Sequence, residues 1–244
     1  MTKVLALLLA LTSFKAMAET VTFVSSSWPP YTGLELAHGG FTNEIIRQAL
    51  EQTNLKSKFI YMPWRRAMES VKTGEIDALY SAYYSTERAS TYIASEPYVY
   101  SDLMLATHSD SHISGYKTLA DLSPYRIGVV RGYVNSPEFD QADFLQKEPV
   151  TNDKLNLKKL LGKRVDLIVI DRFVALHLLQ SMGKSEKSIR FLAKPLDQKP
   201  VHIMFSRKNT LSAARVEAFN SGLKIIKQQG IYQEILKRYG FFVR

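Results

Sequence analysis

The chain has 244 residues, 32 lysines and arginines against 23 aspartates and glutamates for a formal charge of +9, and no cysteine. The lack of cysteine excludes disulfides, zinc–thiolate sites, a cysteine nucleophile and a lipid anchor carried on cysteine. A chain of this length can bury one large core or two small ones, and its basic excess, without a nucleic-acid-binding motif, points to an acidic ligand, an anionic membrane face or solubility rather than to nucleic acid.

Lys3, the apolar run 4–11 and Ala16-Met17-Ala18 read as a cleaved export signal occupying 1–18, with Glu19 as the first mature residue. The apolar run is too short to remain in a bilayer as a helix. Residues 20–25 read as a strand, and Trp28-Pro29-Pro30-Tyr31 as a loop, because consecutive prolines prevent strand or helix. Gly39-Gly40 precedes a helix over 42–53 with Ile45, Ile46, Ala49 and Leu50 inward. A strand near 58–62 follows, and Pro63 suits the first position of a helix carrying Trp64, Ala67, Met68 and Val71. Gly74 can stop that helix, after which Asp77 to Ser81 reads as a short buried strand and Ser85 to Arg88 as a polar turn into a helical segment. This rhythm argues for an α/β domain with a mostly parallel sheet.

Residues 100–107 form an apolar connecting strand, and a second unit begins near His108. There 126–130 is a strand, Arg131-Gly132-Tyr133 a turn and 135–138 a helix start. The basic stretch 154–164 places its leucines at helical spacing, so its lysines form a solvated face. The most strand-like run, 165–170, ends at Asp171 and a helix follows to about residue 182. A return strand over 201–206 leads to helices over 211–229 and 231–239, parted by Gly230. The order predicts one lobe at 19–107 plus 206–244 and a second at 108–205, with the two crossing strands as hinge.

In open α/β sheets ligands lie beyond the carboxyl ends of the strands. Four loops leave such ends: at Trp28, at Ser81 to Arg88, at Arg131 to Asn135 and at Asp171. A strand that ends in hydroxyls and an arginine suits an anion, because the guanidinium offers a planar fork of donors. The plainer readings are a surface ion pair for Arg88, core packing for Trp28 and Trp64 and a helix cap for Asp171. The five histidines are scattered without metal-ligand spacing, so neither a metal nor a cofactor is expected.

The ordered run Gly74-Glu75-Ile76-Asp77-Ala78, Ser81, Ser85-Thr86-Glu87-Arg88 and Ser95-Glu96-Pro97-Tyr98 resembles the family 3 bacterial extracellular solute-binding proteins of the polar amino-acid type. The resemblance implies a two-lobed periplasmic-binding-protein fold of type II, α/β, each lobe a mostly parallel sheet flanked by helices, with a two-strand hinge and the ligand in the cleft. It implies that Trp28 stacks on the ligand, Trp64 packs on it from the start of a helix, Ser81 offers a strand-end hydroxyl and Arg88 clamps an α-carboxylate. It also implies that Gly132 opens an anion-binding helix N-terminus and that Asp171 receives an ammonium group. Departures stand beside these matches. Tyr83 and Val134 replace frequent hydroxyl residues and Ser25 a frequent aspartate, while Tyr83, Tyr84, Arg131 and Tyr133 make the mouth bulkier and more aromatic. An aromatic, larger or modified ligand therefore fits as well as a plain α-amino acid.

The expected function is a monomeric periplasmic receptor that captures an amino acid or related small polar carboxylate for an ABC permease, with no nucleic-acid partner. A ligand-sensing module for a sensor kinase would share the fold. Some relatives of the resembling family became dehydratases of small carboxylates; Asp171 or Glu44 could serve as the acid/base, but no nucleophile–base pairing is evident.

Overall fold

The structure, a computed structural model, describes residues 19–239; the expected export signal at 1–18 lies outside the described residues. The chain opens with β1 (Glu19–Ser25), whose Val21, Phe23 and Val24 are fully buried. It pairs in parallel with β2 (Leu55–Tyr61) and β3 (Ala78–Tyr83). Parallel neighbours need crossovers, and α1 (Phe41–Glu51) and α2 (Trp64–Thr73) supply them. In α1, Phe41, Ile45, Ile46, Ala49 and Leu50 recur at helical spacing and are buried. Pro63 stands at the N-cap of α2 with ψ 135°, one position before the one expected, and Gly74 ends that helix in the left-handed region at φ 86°. Two short elements follow, α3 (Thr86–Thr91) and β4 (Tyr92–Ala94).

β5 (Val99–His108) carries the chain into its second half. That half contains β6 (Arg126–Val130), α4 (Pro137–Gln141), β7 (Gln146–Val150), α5 (Asp153–Leu161), β8 (Leu167–Asp171), α6 (Arg172–Ser181) and β9 (Ile189–Phe191). β10 (Asp197–Ser206) returns, and α7 (Ser212–Gln228) and α8 (Ile231–Arg238) close the described chain against α1. The strand order is β2-β1-β3-β10-β5-β8-β6-β7, with β4 on β10 and β9 on β5. The parallel pairs fall within each half, and the strands joining the halves are antiparallel. β4, β7 and β9 are additions to the sequence reading. Two of them have three residues, too few for a period to show. The third, Gln146-Lys-Glu-Pro-Val, is polar and carries a proline, which the sheet tolerates because β7 is its edge.

The stretch where the two crossing strands pair lies toward the start of both, earlier than the centres of the expected strands 100–107 and 201–206. The two strands pair with each other from Val99↔Val201 to Leu103↔Asp197. By Leu103–Thr107, β5 is paired with β8, and by Val201–Phe205, β10 is paired with β3.

The first half is tied together by a buried arginine. Arg215 of α7 donates from Nε to Glu19 Oε1 at 2.8 Å and from an Nη to Asp77 Oδ1 at 2.7 Å. Asp77 also accepts from the Thr22 N–H at 2.9 Å and Asn209 Nδ2 at 3.1 Å. The aspartate of the Gly-x-Ile-Asp-Ala run thus joins β1, the start of β3 and α7. Among the described residues no helix is long and apolar enough to cross a membrane.

α7 approaches α1 closely at Gly222, where a Cβ would lie 1.9 Å from the Ala49 carbonyl oxygen. In an ordinary helix interior glycine to alanine stabilises by roughly 0.5–1 kcal/mol. Here the backbone contact reverses the sign, and Gly222→Ala is expected to destabilise by about 1–3 kcal/mol through overpacking. Urea denaturation checks this; an unchanged or higher midpoint would contradict the close packing.

Candidate ligand-binding cleft

The carboxyl ends of the strands bring separate segments to one place. The end of β1 supplies Ser25 and the loop after it Ser26 and Trp28, the end of β3 supplies Ser81 and Tyr83, and α3 supplies Arg88. Trp64 enters from the first residue of α2, and Tyr133 and Val134 from the loop after β6. Together they line a small cavity of about 20 Å³.

Local geometry explains how several of these side chains are aimed. Ala82 pairs with His202 and Leu79 with Met204, so Tyr80 and Ser81 together oppose Ile203 alone. This bulge puts Ser81 at φ 55°, in the left-handed region that a non-glycine residue seldom adopts. The Ser81 hydroxyl lies 3.1 Å from Thr42 Oγ1, and its N–H donates to the Tyr98 hydroxyl at 3.0 Å. Trp28 is fixed by a two-bond bridge with Thr32. Its ring stacks on Tyr31 at 4.1 Å and meets Tyr83 edge-on at 5.5 Å. Two further cavities adjoin Trp28. One includes Tyr83, Tyr133, Asn135, Asp153 and Asp171, and the other is a groove between the 27–36 loop and α5 with α6.

Ser85 caps α3 by accepting the Arg88 N–H at 3.1 Å. The Arg88 side chain, 7% exposed, turns inward. It donates to the Tyr83 carbonyl at 2.7 Å and, across to the second half, to the Gly132 carbonyl at 3.1 Å. Its guanidinium also lies 5.3 Å from the Trp64 ring centre. Arg88 forms no ion pair among the described residues. Burial lowers its pKa to about 10. The Trp64 indole N–H is buried and has no acceptor among the described residues.

In the second half Asp171 caps α6. One carboxylate oxygen accepts the Val174 N–H at 2.9 Å, and the other accepts Tyr31 at 2.8 Å and Ser101 at 2.6 Å. Asp153 is the first residue of α5, behind its cap Asn152, and accepts the Tyr133 hydroxyl at 3.1 Å. Burial pushes the Asp153 carboxyl up to about 7; the Tyr133 hydrogen bond opposes this and the Asp171 charge adds to it. Burial also pushes Asp171 up to about 6, against its hydrogen bonds from Ser101, Val174 and Tyr31. Burial holds the Tyr31, Tyr83 and Tyr133 hydroxyls neutral, with pKa values well above the usual phenol range.

Trp28, Trp64, Ser81, Tyr83, Arg88 and Tyr133, all singled out from sequence, line the first cavity. The other three are placed differently. Gly132 adopts φ 80° and presents its carbonyl to Arg88, while α4 starts only at Pro137, capped by Ser136; no helix N-terminus stands at Gly132. Arg131 is exposed and lies outside the linings described. Asp171 lines the adjoining cavity with its oxygens engaged by the protein. Glu44, weighed as an acid/base, pairs with Arg238 at 2.6 Å and lies outside these linings. Asp153 was not singled out. Its signal was the Asn152-Asp153 pair opening a helix, which only the polar strand β7 reveals as a fifth loop at the carboxyl edge. No group of three His, Asp or Glu side chains among the described residues gathers as a metal site would.

Residues 21–242 match the model of the bacterial extracellular solute-binding proteins, family 3. The arginine-binding periplasmic protein of Mannheimia haemolytica is 25% identical over 234 residues, covering 92% of each chain. Among solved structures, an ancestral arginine-binding protein bound to arginine superposes with a TM-score of 0.76 at 19% identity, covering 93% of this chain and 100% of that one. A histidine kinase sensor domain with similarity to periplasmic binding proteins gives 0.78 at 17% identity, covering 92% and 96%. These structural likenesses establish the fold.

The raised carboxyls have a consequence for stability. A carboxyl whose folded pKa lies above its unfolded value near 3.8 favours folding fully below that value and loses this contribution as pH rises through the folded pKa, here about 7 for Asp153. Asp153→Asn keeps an acceptor for Tyr133 but cannot ionise. Ligand-free Asp153→Asn is therefore expected to melt closest to the wild-type temperature at about pH 4 and several degrees above it at about pH 8, with the gap opening between those values. Thermal denaturation at the two pH values checks this; parallel melting curves would contradict it.

Proposed function

We propose, from the premise that this chain belongs to the bacterial extracellular solute-binding proteins, family 3, that it captures an amino acid or related small carboxylate in the periplasm and delivers it to an ABC-type importer. The observation that carries this reading is Arg88. A guanidinium 7% exposed, beside a cavity and without a carboxylate partner among the described residues, suits an anionic group from outside the protein. The orphan Trp64 N–H offers a second donor, and the Ser25, Ser26 and Ser81 hydroxyls line the same space. Trp28, Tyr83 and Tyr133 supply apolar walls, which suit a small molecule with an organic side chain.

The ligand would lie between halves that already touch across the cleft through Arg88 and Gly132 and through Tyr31 and Asp171. Its binding favours the closed arrangement, with the β5–β10 crossing as the pivot. We place the mature start at Glu19, take the protein as a monomer, and place the lobes at 19–107 plus 206–244 and 108–205. The receptor reading is favoured over an enzyme because Ser101, the serine hydroxyl that meets Asp171, is fully buried and outside the Arg88 cavity. The fold likeness to a sensor domain supports a second reading, in which the same site serves signalling; co-purification with a permease or with a kinase separates the two.

Removing one partner of a desolvated, hydrogen-bonded charge pair costs roughly 2–5 kcal/mol. Arg88→Ala should therefore weaken the tightest-binding member of an L-amino-acid panel by about 30-fold to several-thousand-fold. Calorimetry on the folded variant measures this; a loss below about fivefold would match an ordinary surface ion pair and remove the support for the clamp.

A further inference from the structure

The Arg88 cavity offers a ligand donors and aromatic walls. Arg88 is the one charged group in its lining, and among the described residues no carboxylate lines it. The guanidinium, the buried Trp64 N–H and the Ser25 and Ser26 hydroxyls can all donate to a carboxylate. An ammonium on the carbon beside that carboxylate would leave water with it. Its charge then needs a negative partner, because an unpaired buried cation is costly.

The cleft has two buried carboxylates, Asp171 and Asp153, and the protein itself meets both. Asp171 accepts Tyr31 at 2.8 Å, Ser101 at 2.6 Å and the Val174 N–H at 2.9 Å, and the Phe173 N–H adds to them. A carboxylate has about four lone-pair sites, so these donors fill it. Tyr31 is fully buried with its ring stacked on Trp28 at 4.1 Å, which holds its hydroxyl on Asp171. Tyr83, a wall of the Arg88 cavity, has its hydroxyl 2.5 Å from Ser101, so that wall ends on the serine already serving Asp171. Asp153 lines the adjoining cavity and the outer groove but not the Arg88 cavity. Tyr133 connects the two: it lines the Arg88 cavity and donates its hydroxyl to Asp153 at 3.1 Å. The walls therefore offer a ligand tyrosine side chains whose hydroxyls are engaged behind them. The Ser81 hydroxyl, also in the lining, already contacts Thr42 and Tyr98. Neutral acceptors return less to an ammonium than a carboxylate does.

We propose that the cleft recognises its solute as a carboxylate without an α-ammonium group, so that a des-amino carboxylic acid is bound at least as tightly as the corresponding amino acid. This rests on the reading of Arg88 as the carboxylate clamp. The donors of the Arg88 cavity hold the carboxylate, and Trp28, Tyr83 and Tyr133 pack on the organic body. Tyr31 acts as a positioning residue: by occupying Asp171 it removes the acceptor that an ammonium would use.

The test compares pairs that differ in the α-amino group alone, by calorimetry on the mature protein freed of endogenous ligand. The pairs are L-phenylalanine with 3-phenylpropanoate, L-leucine with 4-methylpentanoate, L-glutamine with 4-carbamoylbutanoate and L-lysine with 6-aminohexanoate. In every pair that binds, the des-amino member should match the amino acid to within about threefold or exceed it. An ammonium paired with a carboxylate would instead favour the amino acid by about 30-fold or more. An amino acid bound more than about threefold more tightly overturns this inference while leaving the Arg88 clamp standing. Binding of no member of any pair would overturn both. In Tyr31→Phe, shown to be folded by its melting transition, Asp171 regains an acceptor position while the ring on Trp28 is kept. The preference within each pair should then move toward the amino acid by at least about threefold, whereas an unchanged preference overturns the role given to Tyr31. The wild-type comparison decides even where the variant does not fold.

Discussion

The architecture depends on the stretch in which β5 and β10 have each other as partners, from Val99↔Val201 to Leu103↔Asp197. On one side of it β10 joins β3, and on the other β5 joins β8. The backbone links the halves through these two strands, and side chains connect them elsewhere. Tyr31 reaches Asp171, Arg88 reaches Gly132, and Trp64 meets Tyr133 edge-on at 6.4 Å. A two-strand link can bend with little loss of core packing, whereas contacts across a cleft are readily exchanged for contacts with a ligand. The same arrangement sets the carboxyl ends of β1 and β3 opposite those of β6 and β8, so the ligand space is a product of the topology.

Two buried arginines differ in how their charge is met. Arg215 and Arg88 are equally buried, each 7% exposed. Arg215 is matched by Glu19 and Asp77, so its charge is neutralised where it serves to join β1, β3 and α7. Among the described residues Arg88 is matched only by neutral acceptors, the Tyr83 and Gly132 carbonyls and the Met68 sulfur. Those contacts orient the guanidinium without cancelling its charge. An anion entering the cavity therefore finds a cation already aimed and already removed from water, which reduces the ordering cost of binding.

What the sequence by itself determined was the periodic and the local. The helical spacing of Ile45, Ile46, Ala49 and Leu50 fixes the inward face of α1, and glycines 74 and 230 mark ends because they take left-handed conformations. The ordered run from Gly74 to Tyr98 placed Ser81, Tyr83 and Arg88 at a strand's carboxyl end, where the structure has them. Tertiary structure decided everything that needed a distant partner. Whether Ser81 would be pushed to φ 55° depended on the register of β10, more than a hundred residues away. Whether Asp153 lay in the cleft depended on β7, a polar strand with a proline that only an edge position permits. Whether Asp171 was open or filled depended on Tyr31 and Ser101 arriving from the other half. Periodicity encodes which way a side chain faces its own element. Which oxygen meets which donor is set by the packing of elements far apart in the chain, and the sequence pattern carries no direct trace of it.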